Sequence, residues 1–206
     1  MQDAYQNIDT RNKKRKQSLD TRALIIEAAC DILSDEGYKG FTASALVKQS
    51  GISKGGIYHH FDNMDEVLLA AYQESTREIF TPLGSYTPEN FDDYMANVEK
   101  LLFDSLFKKS KTMRIMHEML PRALYDSSFG AKQEAFLGSG IERGAQGILD
   151  SFGENISKAE LKIILKSVSI FISGLALHLQ MTGDLSECKK MWSLFRKTLS
   201  EHIDKP

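Results

Sequence analysis

Between Thr42 and Phe61 the chain reads Thr-Ala-Ser-Ala-Leu-Val-Lys-Gln-Ser-Gly-Ile-Ser-Lys-Gly-Gly-Ile-Tyr-His-His-Phe. This spells two short helices joined by a tight turn at Gly51. Thr42 and Ser53 stand where each helix would start, and their hydroxyls can accept a hydrogen bond from an otherwise unpaired amide of the first turn. Leu46, Val47, Ile52, Ile57 and Phe61 fall at positions that turn inward. The second helix is too short and too polar to be a core element. Its outer side carries Lys54, Gly55, Gly56, Tyr58 and His59, which suits an element laid against nucleic acid.

The overall charge gives no such hint. The 206 residues carry a net charge of −2, and the isoelectric point is near 6.2. Any surface for a polyanion must therefore be local. A local basic run exists: Arg11, Lys13, Lys14, Arg15, Lys16 and Arg22 face a single acid, Asp20, between residues 11 and 22. Beside such a helical pair, a basic arm can follow phosphates or enter a minor groove. Two cysteines, Cys30 and Cys188, lie too far apart in sequence to suggest a disulfide framework. A reduced compartment is expected. With no N-terminal apolar segment, the expectation is a soluble cytoplasmic protein.

The rest of the pattern is helical, with no strand signal. A first helix is expected from Asp20 or Thr21 to just before Gly37, carrying Leu24, Ile25, Ala28, Ala29, Ile32 and Leu33 at helical spacing. A helix from about Asn63 to Phe80 is expected to break at Thr81-Pro82-Leu83-Gly84. Thr87-Pro88-Glu89 reads as the next helix start. A further helix covers Lys111 to Tyr125, with a kink or break at Pro121, and another runs from about Ala131 to Phe152. Ser157-Lys158-Ala159-Glu160 is a capping-box signature, opening a long helix that ends near Gly183. Asp184-Leu185-Ser186-Glu187 opens the last. The expected fold is all-α, with about nine helices. The expected domains are a flexible basic arm (1–17), a three-helix head with a helix-turn-helix (18–80) and a larger helical domain (81–206).

Residues 161–179 are apolar on nearly every side, so every face of that helix needs cover. Lys162, Lys166 and His178 argue against a membrane span. Pairing of the last two helices with those of a second copy would provide the cover. Ile164, Val168, Phe171, Leu175, Trp192 and Phe195 are the candidate interface residues.

Residues 21–72 resemble the DNA-binding domain of the TetR family of bacterial transcriptional regulators. The residues that carry the resemblance are Thr21-Arg22, Ile25-Ile26, Ala28-Ala29, Ile32-Leu33, Glu36-Gly37, Phe41-Thr42, Leu46, Ser50-Gly51-Ile52-Ser53-Lys54-Gly55 and Ile57-Tyr58-His59-His60-Phe61. The resemblance implies a homodimer on a palindromic double-stranded DNA operator, released by a small-molecule effector. It assigns DNA contact to Arg22, Thr42, Ser44, Ser53, Lys54, Gly55, Gly56, Tyr58, His59 and His60. Two departures stand out. Met64, beside Asp62 and Asp65, replaces a lysine that often touches phosphate, and Gly56 replaces a residue that often reads a base.

In the larger domain Met113, Met116, His117, Phe136, Phe171 and His178 are candidate effector-pocket residues, with plain helical core as the competing reading. Methionine suits adaptable pockets. No catalytic motif, cofactor loop or metal-spaced cluster is evident, so an enzyme is not expected. Neighbouring His59 and His60 diverge by about 100° on a helix and would not share a metal ion. A constitutive DNA-binding factor without effector is the main alternative.

Overall fold

The computed structural model describes residues 2–152 and 156–203; within these, side chains are described except at 2–16, 78–85, 110, 120 and 152. Ten α-helices and one short 3-10 helix appear among the described residues, with no strand. They are α1 (Gln2–Asp35), α2 (Gly37–Gly40), α3 (Ala43–Ser50), α4 (Lys54–His60), α5 (Met64–Ser85), α6 (Phe91–Asp104), the 3-10 turn (Leu106–Lys108), α7 (Ser110–Tyr125), α8 (Ser127–Phe152), α9 (Lys158–Thr182) and α10 (Leu185–Ile203).

Packing divides these helices into two units. The first is Met1–Ser75 together with Arg114–Leu120, and the second is Thr76–Met113 with Pro121–Pro206. A single cut after residue 80, as expected from sequence, does not describe this. The helix α5 runs through that position to Ser85 and α7 through Pro121 to Tyr125. Each proline withdraws one backbone donor, yet neither ends its helix. A proline lowers helix propensity at its position without forbidding the helix on either side.

In the first unit α3 and α4 pack on α1. Ile25, Ala28, Ala29, Ile32 and Leu33 of α1 form its buried stripe, joined by Leu46, Ile57, Phe61, Val67, Leu68 and Tyr72. The Cys30 thiol donates to the Ala71 carbonyl at 3.5 Å, tying α1 to α5. Helix α1 begins at Gln2, well before the Asp20–Thr21 start read from sequence. No glycine or proline interrupts residues 2–35, and Lys, Arg, Gln and Ala are good helix formers. The basic side chains of residues 11–16 lie outside the described ones.

The α1–α2 corner depends on α7. Gly37 is left-handed (φ +69°), and a Cβ there would stand 3.0 Å from Glu118 Oε1. Glu118 Oε2 accepts the Tyr38 amide at 2.7 Å. Arg114 donates from Nη1 to the Ser34 carbonyl at 3.1 Å. Sequence alone suggests that these two residues are plain surface charges; instead they satisfy backbone groups orphaned at a helix end and a helix start.

In the second unit α9 packs against α8 and α10, and α10 against α6. Leu161 and Leu165 close on Ala145 and Ile148, with Tyr94 alongside. Trp192 is fully buried and donates from Nε1 to Glu99 Oε2 at 3.2 Å. Arg196 bridges Asp92 at 2.8 Å and Glu99 at 3.1 Å. Helix α6 starts three residues later than the Thr87-Pro88 signal suggests. Asn90 is the cap, its side chain accepting from the Asp93 amide at 2.8 Å. Asp93 in return accepts the Glu89 amide and the Tyr86 hydroxyl. This reciprocal cap outcompetes a lone threonine.

Helix α9 is long and apolar enough to cross a membrane by length and composition. Its faces differ, however. Leu161, Ile164, Leu165, Val168, Ile172, Leu175 and Ala176 are buried in the unit, whereas Ile163 is 66 % exposed, Ile170 73 %, Leu177 44 % and Met181 77 %.

Candidate nucleic-acid interface

Thr42 adopts an extended backbone and accepts the Ala45 amide on its hydroxyl at 3.1 Å, starting α3. The helix ends at Gly51, whose φ of +71° is left-handed. Only glycine takes this conformation cheaply. Ser50 wires the turn: its hydroxyl donates to the Leu46 carbonyl at 2.6 Å and accepts the Ile52 amide at 3.2 Å. Ser53 then caps α4 by accepting the Gly56 amide at 3.2 Å. Phe61, buried, closes the far end, its amide bonded to the Ile57 carbonyl. Every expected cap and turn residue in this stretch takes its place.

Leu46 and Ile57 are the fully buried anchors of α3 and α4. At about 100° per residue, the positions two before and two after each anchor flank the outward point of its helix. On α4 these are Gly55 and His59, and on α3 they are Ser44 and Lys48. All four are exposed, as are Lys54, Tyr58, Ser53 and Thr42. Gly56 and His60 are half-buried, so they sit at the edge of this face. The His59 and His60 rings meet edge-on at 5.2 Å between centroids.

Arg22 is exposed on α1, and its guanidinium lies 4.8 Å from the centroid of the Phe61 ring. Cation–π contact holds this cation at the C-terminal end of α4. Lys48, four residues after Ser44, shares this outward face, although the sequence reading did not single it out. Lys39 of α2 is a further exposed cation. Acids gather just beyond α4, where Glu66 accepts the Asp62 amide and Asn63 accepts the Glu66 amide. Asn63 thereby caps α5, with Asp65 and Glu66 in its first turn.

The six candidate pocket residues are not gathered in one unit. Met116 and His117 belong to the first, and Met113, Phe136, Phe171 and His178 to the second. Met113 is buried; the other five are half-buried. Phe171 stacks on Phe195 at 4.0 Å, and His178 pairs with Glu187 at 2.9 Å. An open groove of about 520 Å³ runs along α10, lined by Ser186, Lys189, Lys190, Ser193, Leu194 and Lys197, with none of the six among them. Among the described residues no three His, Cys, Asp or Glu side chains converge as for a metal ion. Of the candidate interface residues, Ile164, Val168, Leu175 and Trp192 are buried within the chain itself. Phe171 and Phe195 stack on each other. The apolar groups left to solvent are their neighbours Ile163, Ile170, Leu177, Met181 and Leu194. An all-round apolar helix does not reveal which face a subunit keeps for itself.

Comparison with known proteins agrees with this geometry. Residues 25–71 match the family described as bacterial regulatory proteins, tetR family. The HTH-type transcriptional regulator CymR of Pseudomonas putida is 30 % identical over 84 residues, which cover 39 % of this chain and 41 % of CymR. The similarity thus spans about two fifths of that relative's length. Two solved structures share the fold over most of the chain. A Rhodococcus sp. protein assigned to the TetR family has a TM-score of 0.70 at 14 % identity, covering 87 % of this chain and 98 % of its own. The multidrug binding protein EbrR, complexed with imidazole, has a TM-score of 0.65 at 17 % identity, covering 91 % and 92 %. Residues 25–71 thus carry the helix-turn-helix pattern of the tetR family, and the chain as a whole shares the fold of these solved structures.

Proposed function

We propose that this protein is a DNA-binding transcriptional regulator of the TetR family, a cytoplasmic homodimeric repressor that holds a palindromic operator and is released by a small-molecule effector. The observation that carries the DNA-binding part is the outward face of α3 and α4, where Ser44, Lys48, Lys54, Gly55, Tyr58 and His59 surround the points opposite the buried Leu46 and Ile57. Lys48, Lys54 and Arg22 supply charge for phosphates, which position the duplex, while Ser44 and His59 point where base edges would lie. Thr42, Ser53 and Tyr58 offer hydroxyls at the rim.

The partner for dimerisation is a second copy. Ile163, Ile170 and Leu177 repeat every seven residues along α9 and continue to Met181, with Leu194 exposed on α10. A heptad stripe of this kind docks on a helix of matching pattern. A protein face, not lipid, covers it: Lys166 lies on the same helix within 3.9 Å of Glu134, and His178 pairs with Glu187.

Helix α7 supports effector control. Its middle, Arg114–Leu120, belongs to the first unit and its ends to the second. Within the first unit, Arg114 and Glu118 of that middle hold Ser34 and Tyr38. EbrR, with its bound imidazole, is a precedent for a ligand on this fold. The close packing of Met113 and the Phe171–Phe195 stack favours a second reading, a regulator without effector.

The test is selection of duplexes from a randomised pool, followed by fluorescence anisotropy. Expected is a palindromic consensus bound far more tightly than a base-shuffled control, with affinity falling steeply with salt. Equal affinity for both duplexes would sink the proposal. Candidate small molecules that never lower operator affinity would leave only the effector-free reading.

A further inference from the structure

We propose that Gly55, and not its neighbour Gly56, is the position that sets how closely α4 seats against the duplex and so how well it discriminates bases. This rests on the DNA-binding reading above and assigns different roles to two adjacent glycines.

A helix pays for each glycine in conformational entropy, so two in succession within a seven-residue helix call for a reason at each. At Gly56 the reason is internal. A Cβ there would stand 2.8 Å from Ile52 Cγ2 and 3.4 Å from Ser53 Oγ. The Cγ2 methyl sits on a branched carbon with little freedom to swing aside. Ile52, half-buried at the turn, occupies the space a side chain at 56 would need.

At Gly55 the fold supplies no reason. Its φ is not left-handed, and a Cβ there would meet nothing within 4 Å. By helix propensity alone, alanine would be the better residue. Yet Gly55 flanks the most outward point of α4, one turn before His59 and opposite the buried Ile57. An unfilled position at the summit of a binding face leaves room for whatever the helix approaches. A methyl at 55 would hold α4 away from the groove floor. Hydrogen bonds from Ser44 and His59 to base edges tolerate only a few tenths of an ångström before weakening. Contacts of long lysines with phosphates follow such a shift more easily. Discrimination should therefore suffer more than general affinity.

The experiment compares the full-length wild type with Gly55→Ala and Gly56→Ala. Each is melted by circular dichroism and titrated against a duplex selected by the wild type and against the same duplex shuffled. Expected for Gly55→Ala is a melting temperature higher by roughly 2–4 °C. Its affinity for the selected duplex falls about tenfold or more, and shuffled-duplex binding changes less than about threefold. Expected for Gly56→Ala is a lower melting temperature, because Ile52 must move. Undiminished discrimination by Gly55→Ala overturns the inference, and so does a lower melting temperature for that variant. A wild type that selects no duplex refutes the DNA-binding reading instead, so the two failures are distinguishable.

Discussion

Replacing Ile170 with glutamate tests the proposed dimer face separately from the chain's own core. Ile170 is 73 % exposed, on the same face as Ile163, Leu177 and Met181. Fully burying an isoleucine is worth about 1.5–3 kcal/mol. The fraction still exposed here leaves roughly 1–2 kcal/mol to be gained per copy on docking. A two-fold interface uses each residue twice, so loss of the side chain removes roughly 2–4 kcal/mol per dimer. That corresponds to a dissociation constant about 30- to 1,000-fold weaker, before the cost of burying two carboxylates. The protomer itself should melt as before, since Ile170 contributes little to its own core. Trp192→Ala should behave in the opposite way. That side chain is fully buried and bonded to Glu99, and its truncation should cost about 3–5 kcal/mol of subunit stability. Sedimentation velocity over a concentration series, with thermal melts alongside, reads both quantities. The reasoning is refuted if Ile170→Glu associates as tightly as the wild type, or if the wild type is monomeric at every concentration.

Three further outcomes are expected. Lys54→Ala should weaken operator binding and reduce the slope of log affinity against log salt by about 1; an unchanged slope would remove Lys54 from the phosphate contacts. Glu118→Ala leaves the Tyr38 amide without its carboxylate acceptor, and should cost about 1 kcal/mol in urea unfolding; no change would mean water replaces it fully. Hydrogen bonds from Lys158 and Lys162 hold the Glu142 carboxyl down to about 2, from an ordinary value of 4.5. A carboxyl depressed on folding stabilises the protein above its ordinary value and stops doing so as pH falls through the folded one. The melting temperature should therefore drop between about pH 4.5 and 2. Glu142→Gln should flatten part of that drop, and an identical profile for the variant would contradict it. Asp92, lowered chiefly by its hydrogen bond from Arg196, acts in the same direction.

The helix-turn-helix was legible in the sequence because its determinants are local. Thr42, Gly51 and Ser53 act within four residues of where they stand, and Leu46, Ile57 and Phe61 repeat at helical period. The starts of α9 and α10 were legible for the same reason, since Ser157 and Asp184 accept the amides of Glu160 and Glu187. What the sequence left undecided were matters of competition between distant residues. Pro82 looked like an end and lies inside α5, and Pro121, read as a kink or break, lies inside α7. Arg114 and Glu118 looked like solvated charges until α7 met the α1–α2 corner, 80 residues away in sequence. Gly55 and Gly56 are one letter repeated, and the space around each, open at 55 and filled by Ile52 Cγ2 at 56, is decided by the fold. Along α9 almost every residue is apolar, so composition demanded cover on all sides without saying whose. Burial of Ile164, Val168 and Leu175 inside the subunit left Ile163, Ile170 and Leu177 outside it. Spacing along one chain sets periodicity, but which side of a helix is inside depends on neighbours that arrive from elsewhere in the fold.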